Sequence, residues 1–156
     1  MKIDNCIQFL QKNKIKVAAI LGGIILLLIM IHVFSHLGED RRVFIYPLSG
    51  STHNQKEVRY LDSHPVQGKI NYYVDELILG PSFYRGRSLF TPGTQVEYCF
   101  LRQNSLYVGL SSEAALQETG AVCIEEGVKL FKKNIKKNFT GIKHIELFID
   151  GNCISD

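Results

Sequence analysis

His32 and His36 stand four residues apart, the spacing at which one face of a helix presents two imidazoles to one metal ion. Both fall at the end of a long apolar run with no further ligand set in view, so they read better as interfacial polar residues than as a metal pair. His53, His64 and His144 belong to separate predicted elements, and nothing in their spacing makes them converge. The short motifs of nucleophilic and phosphate chemistry are absent too: no G-x-S-x-G, no Walker loop, no H-E-x-x-H and no C-x-x-C. The expectation is a non-enzyme with no catalytic residue, cofactor or metal. The alternative is a membrane-tethered envelope enzyme or a domain binding a small molecule or cell wall, its site assembled only by folding.

Three other sets of residues carry possible functions. Cys99, Cys123 and Cys153 permit one internal bridge at most, and Cys99 with Cys123 is the candidate pair, weighed against buried free thiols. Cys6 lies on the other side of the apolar run. Lys129, Lys132, Lys133, Lys136 and Lys137 recur at i, i+3, i+4, i+7 and i+8, which puts them on one helix face. That face is either merely solvated or a patch for an acidic partner or an anionic envelope surface. Phe44, Tyr46, Tyr107 and Phe148 are expected on one sheet face among Glu57, Arg59, Glu97 and Glu146, and an open face bearing all four aromatics would be a docking surface. Cross-strand aromatic pairs that only stabilise a sheet are the competing reading.

The element that positions everything else is the run Val17–Phe34, apolar or glycine except for His32. As a helix its length approaches the roughly 30 Å hydrocarbon thickness of a bilayer. No small-residue cleavage site follows it, so an uncleaved signal anchor is expected. Lys2, Lys12, Lys14 and Lys16 precede it with Asp4 as the one acid, whereas Glu39-Asp40-Arg41-Arg42 follows with no net charge. Positive-inside asymmetry then predicts a cytoplasmic tail at 1–16, a single span at 17–34 of the inner membrane, a linker at 35–41 and an extracytoplasmic domain at 42–154. Ala18 with Gly22 and Ala19 with Gly23 are small-xxx-small pairs that would let two such helices approach.

The chain of 156 residues has room for about one domain beyond this anchor. Val43–Tyr46 and Val58–Leu61 read as strands. Ile70, Tyr73, Val74, Leu77 and Ile78 mark one face of a helix closed by Gly80-Pro81. Alternation over Val96–Phe100 and Leu106–Leu110 predicts a hairpin with a loop of about four residues, with Val96 and Tyr98 on one face. A helix is predicted over Thr119–Asn138, with Ile124, Val128, Phe131 and Ile135 facing inward, and a last strand over Ile145–Ile149. The order is ββαββαβ: an α+β domain with a mostly antiparallel sheet and two helices on one face.

Four stretches in this order resemble the GerMN domain of sporulation and spore-germination proteins. They are Leu77-Ile78-Leu79-Gly80-Pro81, Pro92-Gly93-Thr94-Gln95-Val96, Leu106-Tyr107-Val108-Gly109-Leu110-Ser111, and the segment from Gly141 to Gly151. The resemblance implies a non-catalytic extracytoplasmic domain, similar to the ring-building motifs of membrane-spanning assemblies and acting through envelope proteins, including copies of itself. The chain has one such copy, where the family commonly has two, and carries no lipobox.

The formal charge of +3 comes entirely from the segment before the span. Beyond it 14 basic and 14 acidic residues cancel, so a nucleic-acid partner is not expected even though aromatic sheets are used to stack RNA bases.

Overall fold

The computed structural model describes residues 14–35, 38–116 and 120–154. It divides into two units, Met1–Gly38 and Glu39–Asp156, and each is described by itself.

In the first unit Lys14–Ser35 form α1, 22 residues long, which rise about 33 Å at roughly 1.5 Å each. The window Lys16–Phe34 has a mean hydropathy of 2.8, and none of it is buried. The helix is apolar on every side and is long and apolar enough, by length and composition, to cross a membrane. The helix begins three residues before the expected span. His36, the tail before Lys14 and Cys6 lie outside the described residues.

The second unit starts with a hairpin of β1 (Glu39–Pro47) and β2 (Asn54–Asp62), paired antiparallel from Glu39 with Asp62 to Pro47 with Asn54. Strand β1 thus takes in residues expected to be linker. Its polar start, Glu39–Arg42, is held by backbone pairing with Arg59–Asp62, a support that hydrophobic periodicity does not register. Then follow α2 (Lys69–Leu79), β3 (Val96–Arg102), β4 (Ser105–Leu110), a short 3-10 turn, α3 (Ile124–Asn138), β5 (His144–Ile149) and β6 (Asn152–Ile154).

The fold is α+β as expected, but the strands form two sheets. One is β1-β2 and the other runs β3-β4-β5-β6, with β4 and β5 parallel and the remaining pairs antiparallel. Parallel pairing of β4 with β5 requires a crossover, and α3 supplies it. Strand β6 was not expected; Asp150-Gly151, which follows the last expected strand, is the turn that leads into it. The β3–β4 turn is also tighter than expected, because Arg102 pairs directly with Ser105 and Gln103 takes a left-handed conformation, φ 56°.

One core joins both sheets to both helices. Strands β4 and β5 contribute Leu106, Val108, Leu110, Leu147 and Ile149; α2 contributes Tyr73, Val74 and Leu77; α3 contributes Val128, Phe131 and Ile135. Helix α3 starts at Ile124 rather than Thr119. Residues 117–119 lie outside the described residues, and Gly120–Val122 are held extended by hydrogen bonds to Ser88, whose N–H donates to the Gly120 carbonyl and whose carbonyl accepts from Val122.

Candidate interaction surfaces

Two of the four predicted surface aromatics are not on the surface. Phe44 and Tyr46 are fully buried. Phe44 stacks on Tyr73 of α2 with ring centroids 4.6 Å apart, and the Tyr46 hydroxyl donates to the Leu77 carbonyl at 3.1 Å. Burial pushes the Tyr46 hydroxyl's pKa well above its ordinary value. The reason is topological: β1 belongs to its own sheet, and the face assigned to these rings is turned into the core.

Arg59 of β2 secures this arrangement. It pairs with Glu57 at 2.7 Å and Glu76 at 3.2 Å, donates to the Gly80 carbonyl at 2.6 Å, and lies over the Phe44 ring at 4.7 Å. A guanidinium at the carbonyl end of α2 suits the helix dipole, and α2 has no basic residue of its own in its last turn. Burial acts to raise the Glu57 carboxyl's pKa, yet hydrogen bonds from Arg59 and Ser82 outweigh it and hold the group below the usual carboxylate range.

Tyr107 and Phe148 do lie on the outer face of the four-stranded sheet, half-buried. They are joined there by Tyr98 and Phe100, 37% and 50% exposed. Phe100 stacks on Tyr107 with centroids 5.2 Å apart, and Tyr98 lies 6.0 Å from Phe100 and 6.2 Å from Phe148. Tyr98 was expected to share the inner face with Val96. A register shift between them inserts one residue, and since side chains alternate strictly along a strand, every later residue changes face. Gly109, opposite Tyr98, is the sequence signal that could have revealed this: a strand glycine often marks a bulge or a close approach. A Cβ built there would lie 2.2 Å from the Tyr98 ring.

The same shift turns Cys99 inward. Its thiol is half-buried, and burial, aided by the Asp75 carboxylate, pushes its pKa up to about 12. Cys123 and Cys153 are exposed, and all three thiols are free, so of the two readings weighed for Cys99 and Cys123 the structure holds free thiols, with Cys123 exposed rather than buried. Cys99 points into the domain from β3, whereas Cys123 occupies the N-cap of α3 on the surface.

The predicted lysines do share the outer side of α3. Lys129, Lys133, Lys136 and Lys137 are exposed and Lys132 is half-buried. With Ile124, Glu125, Val128 and Ile154 they line an open groove of about 1040 Å³. The inner side of α3 carries a feature that sequence reasoning missed. Asn134 and Asn138 are one turn apart and bond to the β1 backbone: Ile45 and Val43 N–H groups donate to their Oδ1 atoms at 2.7 and 2.9 Å, and their Nδ2 atoms donate back to the same residues' carbonyls at 2.9 and 2.7 Å. Asn138 also donates to the Tyr73 hydroxyl at 2.8 Å.

Among the described residues no group of three or more His, Cys, Asp or Glu could hold a metal ion. His53, His64 and His144 lie in the β1–β2 turn, after β2 and at the start of β5, respectively.

No family model matches the sequence, and no curated protein matches it. Solved structures do. The tandem GerMN domains of the sporulation protein GerM from Bacillus subtilis match with a TM-score of 0.56 at 10% identity, over 74% of this chain and 40% of that one. The first GerMN domain of the same protein matches with a TM-score of 0.51 at 14% identity, over 74% of this chain and 86% of that one. The second unit therefore has a GerMN-like fold, and the resemblance read from its four sequence stretches extends to its architecture.

Proposed function

We propose that the chain is a single-pass protein of the bacterial inner membrane, N-terminus in the cytoplasm, whose outer unit is a non-catalytic module that binds envelope proteins. The observation that carries this reading is the four-ring strip of Tyr98, Phe100, Tyr107 and Phe148 on the outer face of the sheet. Aromatic rings supply large contact area at little entropic cost and are over-represented among the residues that dominate protein interfaces. Glu146 shares this face, in register with Tyr107, and adds a polar margin. The lysine asymmetry around α1 supports the orientation. The fold of a sporulation protein's domain supports a place in an envelope assembly connected with sporulation or germination.

The test is affinity purification of the crosslinked full-length chain from membranes, with Phe100→Ser plus Tyr107→Ser as the control. The expected result is a specific set of co-purifying envelope proteins that the double variant loses while retaining its fold by circular dichroism. If no protein co-purifies specifically while a cell-wall fragment binds the chain, the reading fails.

A further inference from the structure

We propose that the lysine face of α3 is a second membrane contact, seating on the anionic phospholipid headgroups of the bilayer in which α1 is anchored. The inference rests on the anchor reading and adds a surface that reading does not require. Lys129, Lys133, Lys136 and Lys137 are all exposed along one side of a single helix, and Glu125 is the one acid lining the groove they border. The chain beyond the anchor is neutral as a whole, so this is a local segregation of charge rather than a basic domain.

Charge complementarity selects the occupant. Each lysine near an anionic leaflet strengthens binding by roughly fivefold, so four acting together reach between two and three orders of magnitude. Ile124 and Ile154, half-buried at the same groove, give the lysine stems an apolar strip along which to extend their ammonium groups. The chain itself supplies the encounter, because α1 and the lysine face of α3 belong to one polypeptide. Covalent linkage to the anchor raises the effective concentration at the bilayer, so a weak individual contact suffices.

The experiment uses the full chain with a protease site inserted between Gly38 and Glu39, reconstituted in vesicles of phosphatidylcholine alone or mixed equally with phosphatidylglycerol. Before cleavage, resistance to alkaline carbonate extraction reports the anchor. After cleavage, the outer unit should bind phosphatidylglycerol-containing vesicles about a hundredfold more tightly than phosphatidylcholine ones, and about 0.5 M salt should release it by screening. The variant K129Q/K133Q/K136Q/K137Q should lose that binding, and lysine-to-arginine replacement at the same four positions should keep it, which separates loss of charge from loss of fold. Extraction of the uncleaved chain would overturn the anchor reading and this proposal together. Release of the cleaved unit from chains that resist extraction, or retention of the glutamine variant, would overturn the lysine-face proposal alone.

Discussion

The carboxamide of Asn134 pairs with Ile45 as a neighbouring strand would, accepting from its N–H at 2.7 Å and donating to its carbonyl at 2.9 Å. Asn138 repeats the exchange with Val43 one turn later. An exposed strand edge is a template for unwanted pairing, and a buried one must have every backbone group satisfied. Two asparagines at i and i+4 meet both demands from a helix. They also account for the split into two sheets, since the second edge of β1 is already occupied.

Asn134→Ala should therefore cost about 2–4 kcal/mol. It strands a buried N–H and a buried carbonyl of Ile45, each worth roughly 1–3 kcal/mol when left unpaired. Asn134 is fully buried, so water cannot replace the lost amide without a cavity rearrangement. Asn138→Ala should cost less because Asn138 is only half-buried. Urea unfolding of both variants checks the ranking, and a smaller loss for Asn134→Ala than for Asn138→Ala would contradict it.

Glu57 should make stability fall in acid. Its folded pKa lies below the usual carboxylate value, so its contribution is complete above the unfolded value of about 4.3 and is lost as pH falls through the folded value. Glu57→Gln should be less stable than the parent at pH 6, and the gap should narrow progressively as the pH falls below the unfolded value of about 4.3. Thermal unfolding at a series of pH values gives the comparison, and a pH-independent gap would remove the ion pair from the explanation.

The thiols should separate by reactivity. At about pH 8 a thiol with a pKa near 12 is thiolate only about once in ten thousand, and Cys99 is also half-buried. Iodoacetamide labelling of the native chain, read residue by residue by mass spectrometry, should mark the exposed Cys123 and Cys153 well before Cys99. Denaturation without reductant should expose all three. Protection of Cys99 and Cys123 together under those conditions would restore the bridge.

Elements built on apolar periodicity were legible from the sequence: α1, α2, β4 and β5 all lie where the spacing of apolar residues puts them. What escaped was held by polar or geometric devices. The first four residues of β1 are charged and paired by backbone alone. The face of Tyr98 depends on one inserted residue in β3. The burial of Phe44 and Tyr46 follows from β1 standing in a separate sheet, whose free edge is held by Asn134 and Asn138, polar residues that no apolar period marks. The lysine face was legible because a 3.6-residue period serves charge as well as it serves apolar side chains. The aromatic strip was half legible, through Tyr107 and Phe148, because those two strands carry no bulge.

Tyr98 and Gly109 should prove coupled. The ring covers the glycine, and a Cβ at 109 would meet it at 2.2 Å, so Gly109→Ala must displace the ring. Tyr98 is 37% exposed and can swing outward, which limits the cost to about 1 kcal/mol. In a Tyr98→Ala background the obstacle is gone, and Gly109→Ala should be neutral or slightly stabilising, because glycine in a strand carries an entropic penalty of roughly 0.5–1 kcal/mol relative to alanine. A double-mutant cycle by urea unfolding measures the coupling. Gly127→Ala is the contrasting case: its Cβ would lie 2.2 Å from the Leu89 carbonyl oxygen, which is backbone and cannot swing away. The loss there should exceed 2 kcal/mol, although alanine is favoured over glycine in a helix by about 1 kcal/mol. Equal costs at the two glycines would show that the freedom of the obstructing group does not decide the outcome.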